Sequence, residues 1–197
     1  MNYLAHAYLS FNDSAVLVGN MISDFVKGRK KDDYPEAIRK GIALHRAIDA
    51  FTDAHAATRD AKEVFRPHYR LYSAAFVDVV YDHFLANDPH HFTAGSLREF
   101  AAVTYGTLEE QAVYFPERFA RMFPYMREQD WLFHYSSTRG TEKSLGGVVR
   151  RAAYLEESDT AARLFHEHYE QLRDCYKAFF PDLYGFARAE YGRLVLP

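Results

Sequence analysis

The chain has 197 residues, of which 48% are hydrophobic and 26% charged, a composition that suits one domain with a substantial core. A formal net charge of −3 gives no global attraction to nucleic acid or to an anionic membrane, so an acidic partner has to be held by a local basic patch. The one cysteine, Cys175, excludes an internal disulfide and a cysteine-based zinc site, and fits a reducing compartment.

The opening MNYLAHAYLSF lacks the basic lead and long apolar core of a secretory signal, and no run approaches the ~18 apolar residues of a membrane span. Cytoplasmic residence is the resulting expectation. Helical periodicity runs through nearly the whole chain and alternating strand-like segments are missing, so the expected fold is all-α, a single-domain helical bundle over residues 1–197. A first short helix covers about Tyr3 to Leu9. Asn12 or Asp13 caps a second from about Ser14 to Lys27, ending at Gly28 with Asp24 in its last turn. GRKKDD reads as a polar loop. Asp33 as cap and Pro35 in the first turn open a long helix through about Ala54.

A short helix from Ala57 to about Phe65 and a longer one from about Tyr69 to Ala86 follow, before NDPHHFTAGS breaks the pattern. Ser96 with Glu99 reads as a capping box for a helix to Phe115, and Pro116 opens another to about Glu128. STRGTEKSLGG is the most loop-like stretch of the second half. The remainder predicts helices near Leu145 to Tyr154 and Thr160 to Phe180, then a last one after Pro181. The site-bearing part is expected within about residues 1–90, with scaffold helices over about 96–197.

GIALHRAIDAFTD is the most informative segment, because it sets His45, Asp49 and Asp53 four residues apart. Each step of four turns a helix by only about 40°, so the three side chains share one stripe, where imidazole and carboxylate can converge on a cation. The plain alternative is a helix with one polar edge in water. Arg46 beside them suits phosphate oxygens, or else an ordinary salt bridge. DVVYDHFLAND adds Asp82 and His83 as ligand candidates, with Asp78 one turn earlier as a group that orients a ligand. Asp24 ends an apolar helix, where the dipole disfavours a carboxylate unless a cation is near. His6 and Asn20 read as hydrogen-bonded core residues. Lys27, Arg29, Lys30 and Lys31 form the densest basic run, either a solvated loop or a docking surface for an acidic macromolecule, with Arg39 and Lys40 on the next helix. His90 and His91 read as exposed loop residues. No glycine-rich phosphate loop, GxSxG elbow or HExxH helix is present, which leaves nucleophilic serine or cysteine catalysis without support.

MNYLAHAYLS, GNMISDFVKG, GIALHRAIDAFTD and DVVYDHFLA, in this order and spacing, resemble the acyl carrier protein phosphodiesterase family, the holo-acyl-carrier-protein hydrolases. The likeness is densest to about residue 90, loosens through EQDWLFHY and thins toward the C-terminus. It implies a divergent HD-type metal-dependent phosphohydrolase, all-helical, that removes the 4′-phosphopantetheine arm from the carrier protein's serine, a step of fatty-acid metabolism. It implies manganese, or else Mg²⁺, Co²⁺ or Fe²⁺, and holo-acyl carrier protein as the partner. Carried over by motif, Asp24, His45, Asp53, Asp82 and His83 are the expected metal ligands, with Asp24, Arg46 and Asp49 in catalysis and Lys27 to Lys31 as the dock. The ordinary HD pair reads His then Asp, whereas here Asp82 precedes His83. Two other readings stand beside it: an HD-type hydrolase of a nucleotide or small phosphoester, and a non-enzymatic helical module that binds the carrier protein.

Overall fold

Side-chain caps start the first two helices. In a computed structural model, which describes residues 1–152 and 159–195, Asn2 accepts from the Tyr3 N–H to open α1 (Tyr3–Tyr8), and Asp13 accepts from Ala15 and Val16 to open α2 (Ser14–Ile22). The second helix stops short of the predicted Lys27. Ser23–Phe25 tightens into a 3₁₀ turn that carries Asp24, and Gly28, with φ at +58°, lets the backbone enter a second one at Gly28–Asp33 where a loop is predicted. α3 (Glu36–Ala54) follows with Pro35 at its N-cap, then α4 (Ala56–Tyr69) and α5 (Ser73–Ala86).

Three expectations are corrected in the second half. The capping box of α6 (Ala94–Glu110) lies three residues upstream of the predicted one, because Thr93 and Ser96 exchange their side-chain and backbone hydrogen bonds. After α7 (Glu117–Glu128) and the single turn α8 (Trp131–His134), the predicted STRGTEKSLGG loop is helical. Ser137 caps α9 (Thr138–Arg151) there, and Gly140, Thr141, Leu145 and Gly146 are buried, so packing overrides the loop-like composition. The predicted helix end at Tyr154 lies outside the described residues. Finally, Pro181 does not end a helix: after α10 (Asp159–Glu167), α11 (Tyr169–Val195) runs through it. Phe179, Phe180 and Leu183 are buried on either side of that proline, and the helix is held against α3 and α4.

The chain is thus all-α, with no strand among the described residues and no helix long and apolar enough to cross a membrane. One apolar core runs from Leu4 and Ile22 through Ile42, Phe65 and Tyr81 to Phe179. The closest crossing is that of α2 on α3. A Cβ added to Gly19 would lie 2.1 Å from the Ile38 carbonyl oxygen, and one added to Gly41 would lie 2.3 Å from that of Val16. Both positions therefore have to be glycine for the two backbones to touch.

Gly19→Ala or Gly41→Ala is expected to cost at least about 1–3 kcal/mol in urea unfolding, because backbone has to move. Gly106→Ala, where an added methyl meets nothing within 4 Å in the middle of α6, is expected to stabilise by up to ~1 kcal/mol.

Candidate active site

Contact between α2 and α3 brings Asn20 against His45, and α1 crosses the same place with His6. The His45 Nδ1–H donates to the Asn20 carbonyl at 2.8 Å. The Asn20 amide nitrogen donates to the His6 carbonyl at 2.8 Å and to Ser10 Oγ at 3.1 Å, which leaves its oxygen to accept from His6 Nδ1 at 2.8 Å. One asparagine thereby fixes both rings, stacked at 3.9 Å between centroids, and turns both Nε2 atoms the same way.

Both Nε2 atoms face carboxylates. His45 Nε2 lies 3.0 Å from Asp49 Oδ2, one turn along α3, and 3.2 Å from Asp24 Oδ1 on the 3₁₀ turn. His6 Nε2 lies 3.2 Å from Asp49 Oδ1 but outside hydrogen-bonding geometry, so this buried nitrogen has no hydrogen-bond partner. Burial lowers His45, yet Asp24 and Asp49 outweigh it and raise its pKa to about 9, whereas burial and the neighbouring His45 charge lower His6 to about 4. The His45 hydrogen bond holds Asp24 below the usual carboxylate range. Burial opposes ionisation of Asp49, but the two rings outweigh it and hold it well below that range. A neutral imidazole with its lone pair against a carboxylate is unfavourable unless a cation lies between them. His6, His45 and Asp49 each offer a ligand atom within 4.8 Å of the others, a nitrogen and oxygen donor set that suits a first-row divalent ion. These residues fit a metal.

Of the predicted site residues, Asp24, His45 and Asp49 come together here, and Asp53, Asp82, His83 and Arg46 do not. Asp53 is exposed and pairs with Lys62 at 2.7 Å, because it falls on the last turn of α3 beside α4. Asp82 is fully buried and accepts from the backbone N–H groups of Asn2, Leu4 and Ala5, at 3.3, 2.8 and 3.3 Å. It caps α1 across 80 residues of chain, and burial raises its pKa to about 7 against the pull of the N-terminal ammonium and those N–H groups. His83 faces the other way, with Nδ1 at 2.8 Å from the Tyr135 carbonyl and Nε2 at 2.9 Å from the Tyr169 hydroxyl. Arg46 donates to the Val26 carbonyl at 3.0 Å and so braces the turn that carries Asp24. Asp78 accepts from the Met1 ammonium at 2.9 Å, and that ammonium lies 3.6 Å from Asp49.

His6 is the residue that the sequence reading places in the core and the structure places in the cluster. Its signal was a histidine on an apolar helical face close to Asn20, two polar intrusions on different helices with no other partner in view. Lys27, Arg29, Lys30 and Lys31 are exposed, and among the described residues they make no ion pair.

Asp24 opens onto a cleft of about 490 Å³ that it shares with Tyr3, Asp78, Met122, Arg118 and Arg151. Two carboxylates and two guanidiniums around one cleft, with the His45 imidazole bound to one of the carboxylates, suit the hydrolysis of a phosphoester.

The family model for acyl carrier protein phosphodiesterase matches residues 1–183. An acyl carrier protein phosphodiesterase of Klebsiella pneumoniae (strain 342) is 34% identical over 195 residues, covering 95% of this chain and 97% of its own. Those of Yersinia pestis and Photorhabdus laumondii are each 29% identical, covering 93% and 96% of this chain and 95% and 96% of theirs. No solved structure matches. The chain belongs to the acyl carrier protein phosphodiesterase family and is a phosphodiesterase.

Asp82→Asn is expected to destabilise the protein by about 1–3 kcal/mol, since an amide turns one donor toward an α1 N–H. Asp53→Ala is expected to stay within about 0.5 kcal/mol of the parent, and thermal unfolding of the two variants checks both.

Proposed function

Starting from that family, we propose that the protein hydrolyses the phosphodiester joining 4′-phosphopantetheine to the serine of holo-acyl carrier protein, giving apo-carrier protein and the free arm. The supporting observation is the cluster itself: two imidazoles, each fixed by Asn20, aimed at carboxylates on the edge of a cleft.

His6, His45 and Asp49, with Asp24 beside them, would hold a divalent ion, Mn²⁺ by preference and Mg²⁺, Co²⁺ or Fe²⁺ as substitutes. When bound, such an ion acts as a Lewis acid that lowers the pKa of water from 15.7 toward about 7 and withdraws charge from a phosphoryl oxygen. The kinship to HD-type phosphohydrolases would then lie in the helical frame, since both carboxylate oxygens of Asp82 and both ring nitrogens of His83 already bond to the protein itself.

The remaining steps use the chain's own groups. Asp24 is 69% exposed and opens onto the cleft beside the cluster, so its carboxylate can take the proton of the attacking water. Attack at phosphorus breaks the bond to the serine oxygen, which leaves with a proton. Arg118 and Arg151, which border the same cleft as Asp24, neutralise charge on the phosphoryl oxygens. Lys27, Arg29, Lys30 and Lys31, one turn beyond Asp24, serve as the dock for an acidic carrier protein and raise its encounter rate at low salt. We place this reaction in the cytoplasm, in keeping with a lone cysteine.

Incubation with Mn²⁺ and holo-carrier protein is expected to remove the mass of the phosphopantetheine group. Intact carrier protein alongside brisk hydrolysis of a nucleotide or small phosphoester would assign the site to the second reading instead. Asn20→Ala is expected to weaken Mn²⁺ binding by about 10–100-fold in a titration followed by electron paramagnetic resonance, because the His6 ring loses its side-chain partner while His45 keeps its bond to the backbone carbonyl. Exchanging Lys27, Arg29, Lys30 and Lys31 together for glutamine is expected to lower kcat/KM for the carrier protein and to flatten its dependence on salt.

A further inference from the structure

The cleft at Asp24 does not end at Arg151. Asn2, Tyr3 and Arg151 also border a second cavity of about 640 Å³, so the two spaces adjoin across the Tyr3 ring and the Arg151 guanidinium. The second cavity lies between α8 and α9, and each volume is in the range that takes a ligand of a few hundred daltons. Its walls mix Trp131, Tyr3 and Tyr135 with Gln129, Lys143 and Ser144.

Three features fit an anionic, flexible, amide-bearing ligand. Cations border both spaces: Arg118 the first, Arg151 both, and Lys143 and Arg150 the second, and among the described residues none of the four makes an ion pair. Gly147 supplies the room. A Cβ added there would lie 3.4 Å from Arg151 Nη1 and 3.7 Å from Arg150 Nη2, so the two guanidiniums lie over a stretch of α9 that has no side chain of its own. The acids border the first space only, where Asp24 adjoins the His45 cluster and Asp78 holds the Met1 ammonium.

We propose that these joined cavities receive the pantetheine arm, with its phosphoryl end between Arg151 and Arg118 beside Asp24 and its amide chain running past Tyr3 into the space walled by Trp131 and Gly147. The inference rests on the carrier-protein reading and assigns the part of the site that would separate a pantetheine diester from other phosphodiesters. The phosphoryl group meets guanidiniums, the geminal methyls meet the Tyr3 ring, and the two amides meet Asn2, Gln129 and Ser144. A short alkyl diester fills only the first space and forgoes the second set of contacts.

Trp131, the only tryptophan of the chain, is a built-in reporter for the second cavity. Titrating free 4′-phosphopantetheine into the full chain in Mg²⁺ buffer is expected to change its fluorescence to saturation. Arg151→Gln, at an exposed position, is expected to raise the dissociation constant at least about tenfold. Gly147→Leu is expected to abolish the fluorescence change, and unaltered melting temperatures show that both variants fold. With holo-carrier protein as substrate, Arg151→Gln raises KM more than it lowers kcat. A flat Trp131 signal in the parent protein overturns the assignment, as does equal affinity in parent and both variants. So does a loss of binding confined to Lys177→Glu, in the separate cavity of about 840 Å³ beside α11. A parent protein that binds the arm through Trp131 yet leaves holo-carrier protein intact keeps the cavity assignment and removes the proposed reaction.

Discussion

A carboxylate sealed from water has to find donors, and in this chain Asp82 finds them on the backbone of another helix. That single requirement pins the N-terminal turn of α1 to α5, and α1 is only six residues long, too short to be stable alone. Where α1 lies, His6 follows. From there the order runs outward: α2 meets α3 with no side chain between Gly19 and Gly41, Asn20 comes within reach of both imidazoles, and the rings turn toward Asp49 and Asp24. Each contact presupposes the one before it, so the cluster belongs to the packing of three helices and not to any one motif.

The charges are sorted as well as assembled. Buried ionisable groups are tolerable when each meets its opposite, and here the acids Asp49 and Asp24 face His45 while Asp78 faces the Met1 ammonium. The guanidiniums stand apart on α7 and α9. An anion entering the cleft therefore meets guanidiniums, while Asp24 is already engaged by His45 and Asp78 by the Met1 ammonium. Separation of this kind lets one pocket hold a phosphate and still present an ionised carboxylate to water.

The fold class was plain in the sequence because helical periodicity survives context, and so were the caps at Asp13 and the stripe His45, Asp49. Asp53 continues that stripe by number, but only the two earlier turns of α3 face α1 and α2, and four-residue spacing does not say where along a helix the neighbours stop. Asp82 and His83 were legible as a pair of ligand candidates. What the chain order hides is that their partners are backbone atoms of α1 and of Tyr135, distant in sequence and invisible to any motif. Only the part of the helix at 138–151 from Leu145 onward was legible, since glycines that look like loop residues become packing surface once α8 presses on Gly140. His6 was underrated because a lone histidine among alanines and leucines has no local partner to reveal its use.

Backbone contact at Gly19 and Gly41 makes one side of the cluster stiff. His45 hangs from a helix that cannot slide against its neighbour, and Asn20 ties His6 to the same frame, whereas Asp24 sits on a short 3₁₀ turn outside that backbone contact, held by side chains such as Arg46 and Phe25. Compliance is therefore lopsided: a guest with a larger radius is accommodated by displacement of Asp24, while the imidazole spacing acts as a fixed gauge.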